Sequence, residues 1–226
     1  MGSNIIKNQL DAYRPNFLKH GASPLGTFQN NCTTQRERHR QLLNPLLAHR
    51  PTGFSICDIG SGMCDLHQFL NEAGVVHNYT GIEIVPEMVT AAQKIHPQAR
   101  ILNLDFLDPG FQERFDFVVL SGTFNIPGST AAPEWEKFLY DMIGCMFDRA
   151  DVAISFNALT TYTTFRSEAL FYMNPEKVLS FIQNRLSRFY CISSAYPLFE
   201  HTYTVFRPAA MSQDYPQIEF DKYFSR

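Results

Sequence analysis

The sequence has little charge, and no excess of the basic kind. Lysine and arginine number 19 against 22 acidic residues, and charged residues make up 18% of the 226. The net charge of -3 lacks the strongly basic footprint of a protein that grips nucleic acid through its phosphates. With 45% apolar residues, so low a charge also argues against a disordered chain. Cysteine is scarce and scattered, at Cys32, Cys57, Cys64, Cys145 and Cys191. There is no C-x-x-C pair and no Cys/His cluster at zinc spacing, so no metal site is expected. An odd number at irregular gaps points to free thiols and a reducing compartment. No apolar run approaches the roughly 18 residues of a membrane span. The opening Met1-Gly2-Ser3-Asn4-Ile5-Ile6 has no basic-then-apolar signal pattern and no hydroxyl at position 6 for myristoylation. The expectation is a cytoplasmic protein with no nucleic-acid or membrane partner, either monomer or homodimer. Internal repeats, low-complexity tracts and central linkers are also missing, and the length suits one α/β domain.

What is abundant is aromatic: 20 Phe and ten Tyr, more than a plain core needs. Some of them are expected at an apolar pocket or an interface.

Residues 1–50 read as a helical extension, broken by turn chemistry at Gly21-Ala22-Ser23-Pro24-Leu25-Gly26. Thr33 or Thr34 is placed to cap a second helix through Leu43 and Leu47, with Pro45 as an obstacle inside it. From residue 51 to 207 short strands alternate with helices. Strands are expected at 54–59, 79–84, 100–104, 115–120 and 152–156. Helices are expected at 64–73, 86–95, 133–147 and 174–186. A closing antiparallel pair is expected at 189–194 and 202–206. Such alternation gives a mostly parallel sheet with helices on both faces. Ligands of these sheets bind beyond the carboxyl ends of the strands, at the point where strand order reverses. Residues 208–226 form a tail with four aromatic side chains.

The loop after the first strand is Asp58-Ile59-Gly60-Ser61-Gly62-Met63-Cys64-Asp65. Two glycines there allow a sharp turn and close approach of a ligand, and the following helix offers free N–H groups. Glu83, at the end of strand two, comes 21 residues after Gly62. A carboxylate at that place can accept from both hydroxyls of a ribose. Asp105, after strand three, can accept from an adenine amino group, and Phe106 can cover the ring. Small residues at Ser121 and Gly122 leave space beside a cofactor after strand four.

These motifs, in this order and at this spacing, resemble the class I S-adenosylmethionine-dependent methyltransferases over about residues 50–206. The resemblance implies a Rossmann-like α/β fold with a seven-stranded sheet whose last strand is antiparallel. It implies S-adenosyl-L-methionine as cofactor and S-adenosyl-L-homocysteine as product. Gly60 and Gly62 would lie against the methionine portion, and Asp58, Ser61 and Asp65 would be further cofactor contacts. Glu83 and Ile84 would meet the ribose, Asp105 and Phe106 the adenine, and Ser121 the cofactor's edge. The family's third glycine is here Cys64 or Asp65. Upstream, Gln35 and Arg38 share a helix face, and an Arg fork suits the cofactor carboxylate. A dinucleotide enzyme would show G-x-G-x-x-G, and position 65 is Asp.

Three loops should border the acceptor: 123–133, 157–173 and 195–201. With the last strand antiparallel, His201 and Tyr203 begin at the active edge. His201 is the candidate general base, because its unshifted pKa lies near neutrality. Asn125 and Tyr162 are further catalytic candidates. Asn157, Arg166, Tyr172 and Tyr203 are candidates for substrate contacts. No Asn-Pro-Pro-Tyr-type run follows strand four, so amino methylation of DNA or of protein glutamine is not indicated. The sequence therefore points to methyl transfer onto a small-molecule acceptor, in specialised metabolite biosynthesis. The alternatives are a non-methylating use of the same cofactor and a methyltransferase for RNA or protein.

Overall fold

The computed structural model describes residues 2–224, with side chains from residue 4. Two helices come first, α1 (Gly2–His20) and α2 (Cys32–His49), joined by a strap that holds a 3-10 turn at Pro24–Thr27. The strands are β1 (Phe54–Ile59), β2 (His77–Glu83), β3 (Arg100–Asn103), β4 (Phe115–Leu120), β5 (Ala150–Leu159), β6 (Tyr190–Ser193) and β7 (Glu200–Phe206). Between them lie α3 (Asp65–Glu72), α4 (Pro86–Ile95), α5 (Ala132–Arg149) and α6 (Pro175–Phe181), the last running into a π-helical turn at Ile182–Leu186. The chain closes on α7 (Pro208–Asp214) and a 3-10 turn at Ile218–Tyr223.

The strand order is β3-β2-β1-β4-β5-β7-β6, and β7 runs antiparallel to both its neighbours. This is the expected seven-stranded sheet. The order reverses between β1 and β4, which sets the binding crevice beyond their carboxyl ends. Residues Phe117 and Val119 pack to one side of β4, against Leu43, Leu46, Leu66 and Met88. Val118 and Leu120 pack to the other, against Trp135, Leu139 and Ile143. Both faces of the strand are dry, which is why it reads as a continuous apolar run rather than an alternating one.

The structure differs from the sequence reading in places. Helix α2 is capped by Asn31, whose Oδ1 accepts from Thr34 N–H at 2.9 Å, and not by Thr33 or Thr34. Asn ranks above Thr as a cap. Pro45 does not break that helix, because burial of Leu42, Leu43 and Leu46 holds it straight through to His49. Strand β5 begins at Ala150 and ends at Leu159, longer at both ends than expected, since β7 pairs with it as far as Leu159. Among the described residues no helix is long and apolar enough to cross a membrane.

Candidate functional site

A cavity of about 200 Å³ opens at the carboxyl ends of β1, β2 and β4. Its floor is the loop Asp58–Asp65 and the end of β2, and its far wall is the turn Ser121–Asn125 after β4. Its roof is the N-terminal extension: Gln9 and Tyr13 from α1, residues 27–30 of the strap, and Gln35, Arg38 and His39 from α2. Crossing α1 is tied down at the rim by Gln9 Nε2, which donates to Ile126 O at 2.7 Å.

The glycines of the floor are needed for their backbone. Gly60 has φ +68° and Gly62 φ +51°, both in the left-handed region. A Cβ on Gly60 would stand 2.3 Å from Thr123 Oγ1, and one on Gly62 3.1 Å from Thr27 Cγ2. Cys64, at the place of the third glycine, also adopts φ +61°. Its thiol is buried, and burial pushes it up to about 12. It is therefore held as an uncharged packing group.

Glu83 divides its two oxygens between backbone donors. Oε2 accepts from Gly62 N–H and Oε1 from Val85 N–H, each at 2.9 Å. Glu83 thus fixes the glycine loop relative to β2, and each oxygen keeps a lone pair for a further donor. Asp58 accepts from Tyr79 Oη at 2.8 Å. Burial, and then the charges of Asp65 and Glu83, raise its carboxyl to about 7. Burial also raises Asp65 and Glu83 above the usual carboxylate range. Asp65 is steadied by Gln35 Nε2 at 2.8 Å. Tyr13, which lines the same cavity, is pushed up by burial and then by the charge of Glu83. Three acidic groups thus face one buried space.

Arg38 does not neutralise them. Its guanidinium binds Glu200 at 2.6–3.0 Å and gives Nη1 to Gln29 Oε1 at 2.6 Å. Glu200 is also held by Asn157 Nδ2 at 3.1 Å, and Asn157 Oδ1 accepts from Gly122 N–H at 2.7 Å. One polar network therefore links the strap, α2, β7, β5 and the turn after β4.

Of the residues singled out from sequence, Arg38, Asp58, Gly60, Ser61, Gly62, Asp65, Glu83, Ile84, Ser121 and Asn125 come together on the cavity wall. The remainder lie elsewhere. Phe106 is buried in the core, against Phe111 and under the Arg149 guanidinium, and is not on the wall. Asp105 spends Oδ1 on Leu107 N–H. Tyr203 is buried and stacks on Phe156. Tyr162 is exposed and bonds Glu176 at 2.6 Å. Arg166 donates to Thr161 O and lies over Tyr172. His201 is half-buried between Tyr162 and Tyr203, off the wall, and burial lowers its pKa.

Tyr13, Gln29, His39 and Glu200 were not picked out from sequence. His39 had a signal: it lies one residue on from Arg38 on the face that carries Gln35 and Leu42. It is buried with Nδ1 unpaired, and burial followed by Arg38 and Arg36 lowers it to about 3. Glu200 begins β7 beside His201, but nothing local marks it as buried.

A family model described as a methyltransferase domain matches residues 56–146. The curated Mycobacterium tuberculosis protein Rv1506c, described as a candidate methyltransferase, is 31% identical over 155 residues, covering 67% of this chain and 92% of that protein. The chain belongs to the class I S-adenosylmethionine-dependent methyltransferases. Solved structures agree on the fold. The N-methyltransferase NodS of Bradyrhizobium japonicum, in complex with S-adenosylhomocysteine, aligns with a TM-score of 0.62 at 15% identity, over 89% of this chain and 99% of that one. A methyltransferase of Leishmania major aligns at 0.63 and 12% identity, over 89% and 82%. The magnesium protoporphyrin IX methyltransferase of Synechocystis, with bound S-adenosylmethionine, aligns at 0.57 and 16% identity, over 76% and 79%.

Proposed function

We propose that this methyltransferase transfers the methyl group of S-adenosylmethionine to a small-molecule acceptor in the cytoplasm. The observation that carries the reading is the roofed cavity. α1, the strap and α2 lie over the carboxyl ends of the strands, so an acceptor has to enter a partly covered cleft. A folded protein or an RNA helix does not fit such a space, and the acidic net charge does not favour RNA.

The residues present fit the cofactor. Ser61 and Ser121 line the cavity with buried hydroxyls that have no partner. Buried polar groups are rarely left so, and each is a place for a ligand contact. Glu83 would hold the ribose through its remaining lone pairs. Asp58 and Asp65, both raised by burial, would favour a ligand that brings positive charge. When bound, S-adenosylmethionine supplies an electrophilic methyl group on a sulfonium. The protein's part is to align the acceptor and exclude water. Tyr13 and the strap cover the floor from solvent, and the Arg38–Glu200 pair fixes the wall on which an acceptor would lie.

Calorimetric titration with S-adenosylhomocysteine, NAD and ATP tests the cofactor. Labelled S-adenosylmethionine, incubated with small-molecule and macromolecule fractions of a cell extract, tests the acceptor. Label in the small-molecule fraction is expected. Label confined to RNA or protein would refute the proposal.

A further inference from the structure

Around the turn after β4 the free polar groups are mostly of one kind. Gln29 gives its Oε1 to Arg38, so its Nε2 is what remains, and Nε2 lies 3.1 Å from where a Cβ on Gly122 would stand. Asn125 gives its Oδ1 to Leu159 N–H at 3.0 Å and keeps Nδ2. Both amide orientations are dictated by the network, because Arg38 and the Leu159 amide can only donate. Arg38 itself has more N–H groups than its partners use. The acceptor atoms nearby are engaged: Asn157 Oδ1 by Gly122 N–H, and both Glu200 oxygens by Arg38 and Asn157. The exceptions are Gln9, whose Nε2 is spent on Ile126 O and whose oxygen remains, the Ser121 hydroxyl, which can accept or donate, and His39 Nδ1 in the roof.

We infer that Gln29 and Asn125 form a carboxylate subsite, and that the acceptor is a small carboxylic acid methylated on oxygen. The inference rests on the methyl-transfer reading above. Two N–H donors on the lining of one cavity call for a ligand that accepts, and an anionic one binds them more strongly. A carboxylate has two oxygens, so one can rest on the amides while the other reacts. A lone pair of that second oxygen forms the new O–CH3 bond as the S–CH3 bond breaks. The sulfonium becomes a neutral thioether and the carboxylate a neutral ester. No proton has to leave, because a carboxylic acid is already ionised at neutral pH. This matches a wall where Glu200 is fully engaged and His201 is absent. An amine or thiol would need a base to take its proton.

The test begins with S-adenosylhomocysteine binding to the wild-type protein. No binding removes the methyl-transfer reading, and the inference with it. With that ligand bound, benzoate, hexanoate and benzylamine are titrated by calorimetry. Benzoate or hexanoate should bind and benzylamine should not. Asn125→Asp and Gln29→Glu keep their bonds to Leu159 N–H and Arg38 but exchange a donor for a repelling oxygen. Each should weaken acid binding by roughly tenfold or more. The inference is overturned by tighter binding of benzylamine, by no acid binding up to about 10 mM, or by indifference to both substitutions. It is also overturned if the variants lose affinity for S-adenosylhomocysteine but not for 5′-methylthioadenosine. The carboxylate held there would then be the cofactor's own.

Discussion

Replacing Asp58 with asparagine should make the ligand-free protein more stable and, at the same time, a poorer binder of its cofactor. Asparagine keeps an oxygen for the Tyr79 hydroxyl and almost the same volume. In the folded protein the Asp58 carboxyl keeps its proton up to about pH 7, whereas in the unfolded chain it ionises near 3.8. A raised folded value means that the contribution to stability is complete below pH 3.8 and is lost as the pH climbs to about 7. Each pH unit of that window costs the wild type about 1.4 kcal/mol relative to asparagine. The window spans about three units, so the gap at about pH 8 is roughly 4 kcal/mol at most. In a chain of this length that is a melting-point difference on the order of 10 °C. Asp65 and Glu83 also titrate, but they do so in both proteins and largely cancel in the difference. Thermal unfolding of the two proteins without ligand, followed across pH, measures the gap directly. It should be small under acid conditions, widen through the neutral range and then level off. A gap that does not change with pH would refute the reasoning. With S-adenosylhomocysteine present the order of affinity should favour the wild type, because an ionised Asp58 on the cavity wall would attract the positive charge of the ligand's ammonium group.

Glu83→Ala should weaken S-adenosylhomocysteine binding by about tenfold or more, since it removes the ribose acceptor and frees the glycine loop; near-normal affinity by calorimetry would remove the ribose assignment. Arg38→Met leaves Glu200 buried without its cation and should cost about 3–5 kcal/mol in urea unfolding. Much of that loss should return in the double variant with Glu200→Gln; a fully additive pair would show that the two do not act together. His201→Ala should leave methyl transfer within about twofold of the wild type, as expected for a surface change away from the site. A large loss of turnover with unchanged cofactor affinity would restore His201 as a base.

How much was legible in sequence follows the range of the interactions involved. The floor of the cavity is local: a strand, a glycine turn, a helix, and an acidic residue at the next strand end. Gly60, Gly62 and Glu83 could therefore be placed from spacing, and Asp58 followed from the family resemblance. Strands β1 and β4 were bounded to the residue because each is buried on both faces at all but its second position. The acceptor side is made by contacts distant in sequence. Arg38 meets Glu200 across 162 residues, and Ser193 meets Gln41 across 152. No spacing rule reports such a pair. Phe106 shows the same limit from the other side, since its position after β3 is right for an adenine contact while its ring turns into the core beside Arg149.

The placement of Arg38 changes what the N-terminal extension does. A free arginine there would be a hand for an anionic ligand. Paired with Glu200 and tied to Gln29, it fastens the strap to the sheet and keeps only its remaining N–H groups for a ligand. The buried acidic trio of Asp58, Asp65 and Glu83 has no ion-pair partner among the described residues, and burial raises all three. That arrangement costs folding stability and favours a positively charged ligand, because such a ligand supplies the missing charge. Electrostatically the cavity has two parts, an acidic floor and a donor-rich wall after β4. A sulfonium cofactor suits the first and an ionised acid suits the second, so the residues that weaken the empty protein would favour the cofactor while the donor wall would choose the acceptor.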